Sequence, residues 1–327
     1  MLQTILSHPL RLVDAPDYLL QQSVVMTSRV SFCVWGPAFG NDLRAALPMI
    51  RKAGFTGVQI DAAATRMLDL VELSTSGRRE VKRLLDANNL QLASIRIDLG
   101  SSGLGVPSDA DRLLDRVDSI INASAEMACP VVCVDLGRLP PAQRAPKPRP
   151  QVTQQMAGVL ILPDAPTPVD PEPPAMPTRI DPAIVSHWQQ ALGQLGEIAD
   201  RYGSVLALAS SLSSFASLES LLRQVDCPWF GVDLDSSMIL KDEWSLDETF
   251  DALGSLVRHV RARDAVRGED RRTKPTIIGR GDLSWRDLLG ALDGAGFSGS
   301  ITLDSSELND PQAGAIAGLK QLQAYLQ

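Results

Sequence analysis

Short strand-like runs alternate with amphipathic helix-like runs eight times along this chain of 327 residues, and that alternation limits its fold more than any other feature. The strand-like runs lie at 30–35, 57–61, 91–98, 130–135, 204–209, 229–235, 257–262 and 299–304. Helical periodicity follows each, near 42–53, 77–88, 108–128, 183–202, 216–225, 246–256, 284–295 and 311–326. Successive parallel strands need a crossover rather than a tight turn, and an amphipathic helix supplies one. Eight such units are enough for the sheet to close on itself, so the expectation is an α/β fold, a single-domain (β/α)8 TIM barrel. Local signals agree. Asp181-Pro182 places proline just inside a helix start, and Gly54 and Gly296 stand just past helix ends. Ser108-Asp109 precedes a helix whose apolar side is Leu113, Leu114, Val117 and Ile121.

Two segments fall outside the rhythm. Residues 1–27 read as an N-terminal extension, with Met26 an alternative start, and the barrel as 28–327. Between 138 and 181 prolines crowd a stretch without helical period, broken only by the apolar run Met156–Leu162. This insertion follows the fourth strand and so leaves the barrel at its C-terminal face, where barrel enzymes keep their active sites. An ordered flap is expected there, because the apolar run gives the segment something to bury.

Composition excludes several function classes. A net charge of −8 argues against nucleic-acid binding, which needs a basic face. No apolar run reaches the roughly 20 residues that span a membrane, and the first 29 residues lack the shape of a signal peptide. Cys33, Cys129, Cys133 and Cys227 show neither zinc spacing nor a disulfide framework, as expected of core thiols in a reducing cytoplasm. There is no phosphate-binding P-loop, no dinucleotide glycine fingerprint and no Ser-His-Asp elbow. Nothing in the sequence sets an oligomeric state.

Side chains alternate along a strand, so the apolar set that faces the helices defines the inward set. By that rule Gln59 and Asp61 face inward from the second strand, and Arg96 and Asp98 from the third. Cys133 and Asp135 do so from the fourth, Ala207 and Ala209 from the fifth, and Asp233 and Asp235 from the sixth. The seventh gives His259, Arg261 and Arg263, and the eighth gives Thr302 and Asp304. A structural barrel would fill this space with branched apolar residues. Buried charges are costly unless paired or metal-bound, so a lining rich in Asp and Arg marks a site.

Two stretches carry a family resemblance. One is Ala53–Ile60, leading into the second strand. The other runs from His259 to Asp304, with the pattern HxRxxD at His259–Asp264, then Gly279-Arg280-Gly281-Asp282 with Trp285, then Gly296-Phe297-Ser298-Gly299 before the last strand. These resemble the xylose isomerase-like sugar isomerases and epimerases, over roughly 28–327 apart from the insertion. The resemblance implies one divalent cation, Mn or Mg, held by a Glu on strand five, an Asp on strand six, a His on strand seven and a Glu on strand eight. The two Glu would move protons beside a sugar carbonyl while the cation polarises its oxygens. A DNA-repair endonuclease relative needs many His around zinc, and this chain has three His.

Carried over by position, the metal set departs sharply. The strand-five Glu position falls on Ala209, the strand-six Asp is Asp235, the strand-seven His is Arg261 and the strand-eight Glu is Asp304; Gln59 replaces a strand-two Glu. Arginine has no lone pair to offer a cation. The expectation is therefore a degenerate metal site without a cofactor, with Arg261 forking onto Asp235 and Asp304 in place of the metal. Three functions stay open. The first is a pseudoenzyme binding a sugar-like or anionic small molecule through Arg96, Asp135, Arg261, Arg263 and Arg267. The second is an altered isomerase or epimerase using Asp235, Asp304 and His259 as acids and bases, with a divalent metal if the site survives. The third is a scaffold whose flap binds a partner.

Overall fold

The computed structural model describes residues 30–62, 67–142, 180–225, 227–268 and 272–326. Its eight parallel barrel strands are β1 (Ser31–Trp35), β2 (Gly57–Asp61), β3 (Gln91–Asp98), β4 (Val132–Asp135), β5 (Leu206–Ala209), β6 (Phe230–Asp235), β7 (Val257–Ala262) and β10 (Ser300–Leu303). They close in the order β1-β10-β7-β6-β5-β4-β3-β2, so the (β/α)8 expectation holds. The registers Asp61↔Arg96, Arg96↔Cys133 and Cys133↔Ala207 carry one inward row around half the barrel. The registers Asp235↔Arg261 and Arg261↔Thr302 carry another across the other half. The extension at 1–27 and the stretch 143–179 of the insertion, including the apolar run of the expected flap, lie outside the described residues.

Seven helices of the outer ring form where apolar spacing and end signals coincide: α1 (Leu43–Ala53), α2 (Thr75–Ala87), α3 (Pro107–Glu126), α4 (Pro182–Tyr202), α5 (Phe215–Leu222), α7 (Leu246–Leu253) and α8 (Trp285–Gly294), with α9 (Pro311–Tyr325) after the last strand. In α1, Asp42 accepts from the Arg44 amide, Leu43, Ala46, Leu47 and Ile50 are buried one turn apart, and Gly54 ends the helix at φ 100°. In α4, Asp181 caps, Pro182 opens, and Trp188, Ala191, Leu192, Leu195, Ile198 and Ala199 form the buried stripe.

The sequence reading differs from the structure in three places. Helix α3 starts at Pro107, so Ser108 and Asp109 lie in its first turn rather than ahead of it. Proline lacks an N–H and needs no cap for one, so the turn starts without a side-chain acceptor. A short helix α6 (Ser236–Lys241) follows β6 directly, capped by Asp235. A two-stranded antiparallel hairpin, β8 (Asp264–Arg267) with β9 (Thr273–Thr276), rises from the end of β7. Its strands are four residues each with only Asp264 and Ala265 buried, too short and polar to show a strand period. Both extra elements build on the C-terminal face and wall the site.

Candidate functional site

Beneath the mouth, a hydrogen-bonded plug of side chains spans the barrel. His259 is buried with both ring nitrogens engaged: Nδ1 meets Asp233 Oδ1 at 2.7 Å, and Nε2 meets Thr302 Oγ1 at 2.8 Å and Ser94 Oγ at 3.2 Å. Gln59 Nε2 donates to Ser94 Oγ at 2.9 Å and lies 3.7 Å from Cys133 Sγ. The plug therefore ties β2, β3 and β4 to β6, β7 and β10. His259 lines neither of the cavities described below.

Above it, three arginines meet the carboxylates. The sequence expectation for Arg261 needs correction: its guanidinium does not fork onto Asp235 and Asp304. Its Nη2 donates to Asp233 Oδ2 at 2.5 Å, and both side chains are 0% exposed. Asp235 and Asp304 are taken by other arginines. Arg263 Nη1 donates to Asp235 Oδ2 at 2.9 Å, and Arg96 Nη1 to Asp304 Oδ2 at 3.2 Å. The cause is register: one step along alternate positions puts Asp233 below Arg261, while Arg263 and Arg96 reach the next layer up. Burial alone would raise the Asp233 carboxyl, but Arg261 and His259 outweigh it and hold it well below the usual carboxylate range. Burial likewise opposes the Asp304 charge, and Arg96, Arg263 and Arg261 reverse that, again lowering it. For Arg261, burial works against its charge, but Asp233, Asp235, Asp304 and Asp135 keep the guanidinium protonated.

These donors do not suit a divalent cation. Ala209 offers a methyl group and Arg261 a buried positive charge at two of the four expected positions. In the remaining two carboxylates each oxygen already accepts a hydrogen bond. Asp235 Oδ1 accepts from Ser237 N at 3.0 Å and Ser237 Oγ at 2.7 Å; Asp304 Oδ1 accepts from Ser306 N at 3.0 Å. A lower group, Cys133 with Asp233 and His259, brings three potential ligand atoms within 4.8 Å of one another. It fits poorly too. Burial drives the Cys133 thiol well above its usual range, away from the thiolate a metal needs. Both Asp233 oxygens are occupied, one of them by Arg261.

Among the described residues, two cavities border these side chains. A deep one is lined by Ala209, Ser210, Ser211, Asp235, Met238 and Arg261, and its volume of about 10 Å³ admits one water-sized atom. Arg261 Nε and Nη1 are buried with no hydrogen-bond partner among the described residues. A larger cavity of about 310 Å³ opens at the mouth between α6 and the hairpin, where Ser211, Asp235, Lys241, Arg263, Thr273 and Glu307 line it. It shares Ser211, Asp235 and Met238 with the deep one. Of the candidate ligand-binding residues, Arg263 faces this cavity and Arg261 the deep one. Asp135 accepts from Ser211 Oγ at 2.5 Å and so positions that residue from below. Arg96 stays on Asp304. Arg267 is exposed on the hairpin, donating to the Leu240 carbonyl at 3.0 Å, and lines neither cavity. Asp98 is exposed and caps the turn at Gly100.

Sequence reasoning missed Ser211, Lys241 and Glu307, which lie past strand ends where alternation gives no guidance. It also gave Asp264 no role. That carboxylate is buried, and its Oδ2 accepts from Gly279 N at 2.9 Å, Gly281 N at 3.2 Å and Trp285 Nε1 at 2.9 Å. It thereby fixes the Gly279–Asp282 turn against β8. The Asp of the HxRxxD signal and the GRGD signal belong to one structural knot.

A family model described as the xylose isomerase-like TIM barrel matches residues 47–325. Similar solved structures include a xylose isomerase domain protein from Planctomyces limnophilus, 14% identical over 91% of this chain and 96% of that one, with a TM-score of 0.64. A D-psicose 3-epimerase from Clostridium cellulolyticum H10, solved with D-tagatose, is 14% identical over 91% and 99% of the two chains, with a TM-score of 0.64. A xylose isomerase-like TIM barrel protein from Mycobacterium smegmatis in complex with magnesium is 15% identical over 90% and 96%, with a TM-score of 0.64. At such identities these likenesses show the fold alone. No curated protein matches the chain.

Proposed function

Because the chain belongs to the xylose isomerase-like TIM barrel family, we propose that it keeps the family's sugar-binding mouth but has lost metal-dependent catalysis, and binds a sugar-like, hydroxylated small molecule without a cation. The observation that carries this reading is Arg261, fully buried on the barrel axis, paired with Asp233, and standing where the family resemblance expects a metal-binding His. A guanidinium there supplies fixed positive charge and hydrogen-bond donors but cannot exchange ligands or act as a Lewis acid. The mouth cavity has the volume of an ordinary small-molecule site, and its serine, threonine and carboxylate lining suits hydroxyl groups. Depressed proton affinity at Asp304 also argues against its service as an acid near neutral pH.

A metal-free isomerase is the second reading. It draws on the orphaned Nε and Nη1 of Arg261 beside a cavity with room for one oxygen atom. Such donors could hold the oxygen of an enediolate-like intermediate. The net charge of −8 supports small molecules rather than nucleic acid as partners, and four free thiols support a reducing, cytoplasmic setting. Among the described residues no helix is long and apolar enough to cross a membrane.

The test is a thermal-shift titration of chelator-treated protein with Mn, Mg, Co and Zn, followed by a panel of sugars, polyols and sugar acids. A ligand binding only the folded state stabilises it by about 2.7 kcal/mol at a hundredfold over its dissociation constant. The expected result is no saturable shift with any ion, and a saturable, chelator-insensitive shift with a member of the panel. A saturable shift with Mn or Mg would sink the metal-free reading. Catalytic turnover of a panel sugar after chelation would favour the second reading.

A further inference from the structure

We propose that Arg263 and Lys241 form a carboxylate subsite in the mouth cavity, whose Arg263 half Glu307 occupies from within the chain, and that the ligand is a polyhydroxylated acid rather than a neutral sugar. This rests on the mouth cavity being the binding site.

The two carboxylates on Arg263 are unlike each other. Asp235 holds Nη1 from a buried position and is itself fixed by Ser237 at 2.7 Å, so it is a permanent partner. Glu307 holds Nη2, but its side chain is 48% exposed and comes from the segment between β10 and α9. An ion pair with a half-exposed, long side chain is weak, because ordering that side chain offsets much of the Coulomb gain. A ligand carboxylate that arrives already held by other contacts can therefore take its place. Exchanging one carboxylate for another leaves the charge of the cavity unchanged, so the exchange carries no desolvated excess charge.

Lys241 is the second cation lining the same cavity. Its ammonium donates to the Ser211 carbonyl at 3.1 Å and forms no ion pair among the described residues. One guanidinium edge and one ammonium thus serve a single acidic group. Ser211, Ser237 and Thr273 line the remainder and offer hydroxyls to the hydroxyls of a ligand. The combination fits a chain of alcohols ending in a carboxylate.

The experiment is calorimetric titration of the full chain with D-gluconate and, in parallel, D-glucitol, which carries an alcohol in place of the carboxylate. Gluconate should bind about tenfold more tightly, the worth of one charge-assisted contact. Glu307→Gln should tighten gluconate by about tenfold more and leave glucitol unmoved. Lys241→Met should weaken gluconate by about tenfold, again without effect on glucitol. Both substitutions are at exposed side chains, so the fold survives them. If glucitol binds as tightly as gluconate, and Glu307→Gln changes neither, the carboxylate subsite is overturned while the reading of a polyol-binding mouth stands. Binding of neither probe to the parent or to the Glu307→Gln protein overturns both.

Discussion

At the scale of single residues, a pair of adjacent alternate positions on β6 decides the site. Asp233 faces Arg261 and His259, and Asp235, one layer up, faces Arg263. A buried ion pair contributes little beyond its own desolvation, but breaking it strands a charge. Arg261→Met should therefore lower stability by about 3–5 kcal/mol, since it leaves Asp233 with His259 alone. The double variant Arg261→Met with Asp233→Leu should lose less than the two single variants added together. Urea denaturation of the four proteins measures the difference. Strict additivity would show that the two side chains are not coupled and would remove Arg261 from its role as the built-in charge. Nothing in the strand pattern told which carboxylate Arg261 would choose. Alternation identified the inward set; layer height, fixed by the stagger of neighbouring strands, made the pairs.

At the scale of elements, the walls of the mouth come from pieces added to the eightfold repeat. The hairpin β8–β9 stands on Asp264, and the Gly279–Asp282 turn leans on the same carboxylate. A Cβ on Gly281 would come within 2.0 Å of Asp264 Oδ1 and 2.5 Å of the Ala265 carbonyl oxygen. Gly281→Ala should displace the turn, leave donors of the knot unsatisfied and cost about 1–3 kcal/mol. Gly290, inside α8, meets nothing within 4 Å, so Gly290→Ala should stabilise by about 0.5–1 kcal/mol through helix propensity. Thermal denaturation of the two variants reads the contrast. A Gly281→Ala protein as stable as its parent would show that the turn yields freely and does not hold the wall. The motifs were plain in the sequence as carriers of the family resemblance, but that Asp264 ties them together is set by backbone amides brought to it in the fold.

At the scale of the whole molecule, the buried carboxylates link stability to acid. Asp233 and Asp304 both have folded-state pKa values below their unfolded ones. Their stabilisation is therefore complete above the unfolded carboxylate value of about 3.9 and is lost as pH falls through the folded values. Urea midpoints across pH should fall steeply only below about pH 4, and Asp304→Asn should flatten that acid limb. An acid limb as steep in the variant as in the parent would exclude Asp304 from it. Eight strand-and-helix periods, turn glycines and capping residues were sufficient to specify the closed barrel, because hydrophobic periodicity and local end signals are properties of neighbours in sequence. The same alternation showed that the barrel interior would be lined by Asp, Arg and His, and the family resemblance placed Ala209 and Arg261 at two of the positions where it implies metal ligands. Tertiary structure alone decided that Arg261 pairs with Asp233, that His259 is sealed beneath the mouth, and that Lys241, Arg263 and Glu307 meet at one cavity. Those groupings join residues from 22 positions apart (Lys241 and Arg263) to 165 (Ser94 and His259), and their geometry depends on strand stagger and closure, which no local pattern encodes.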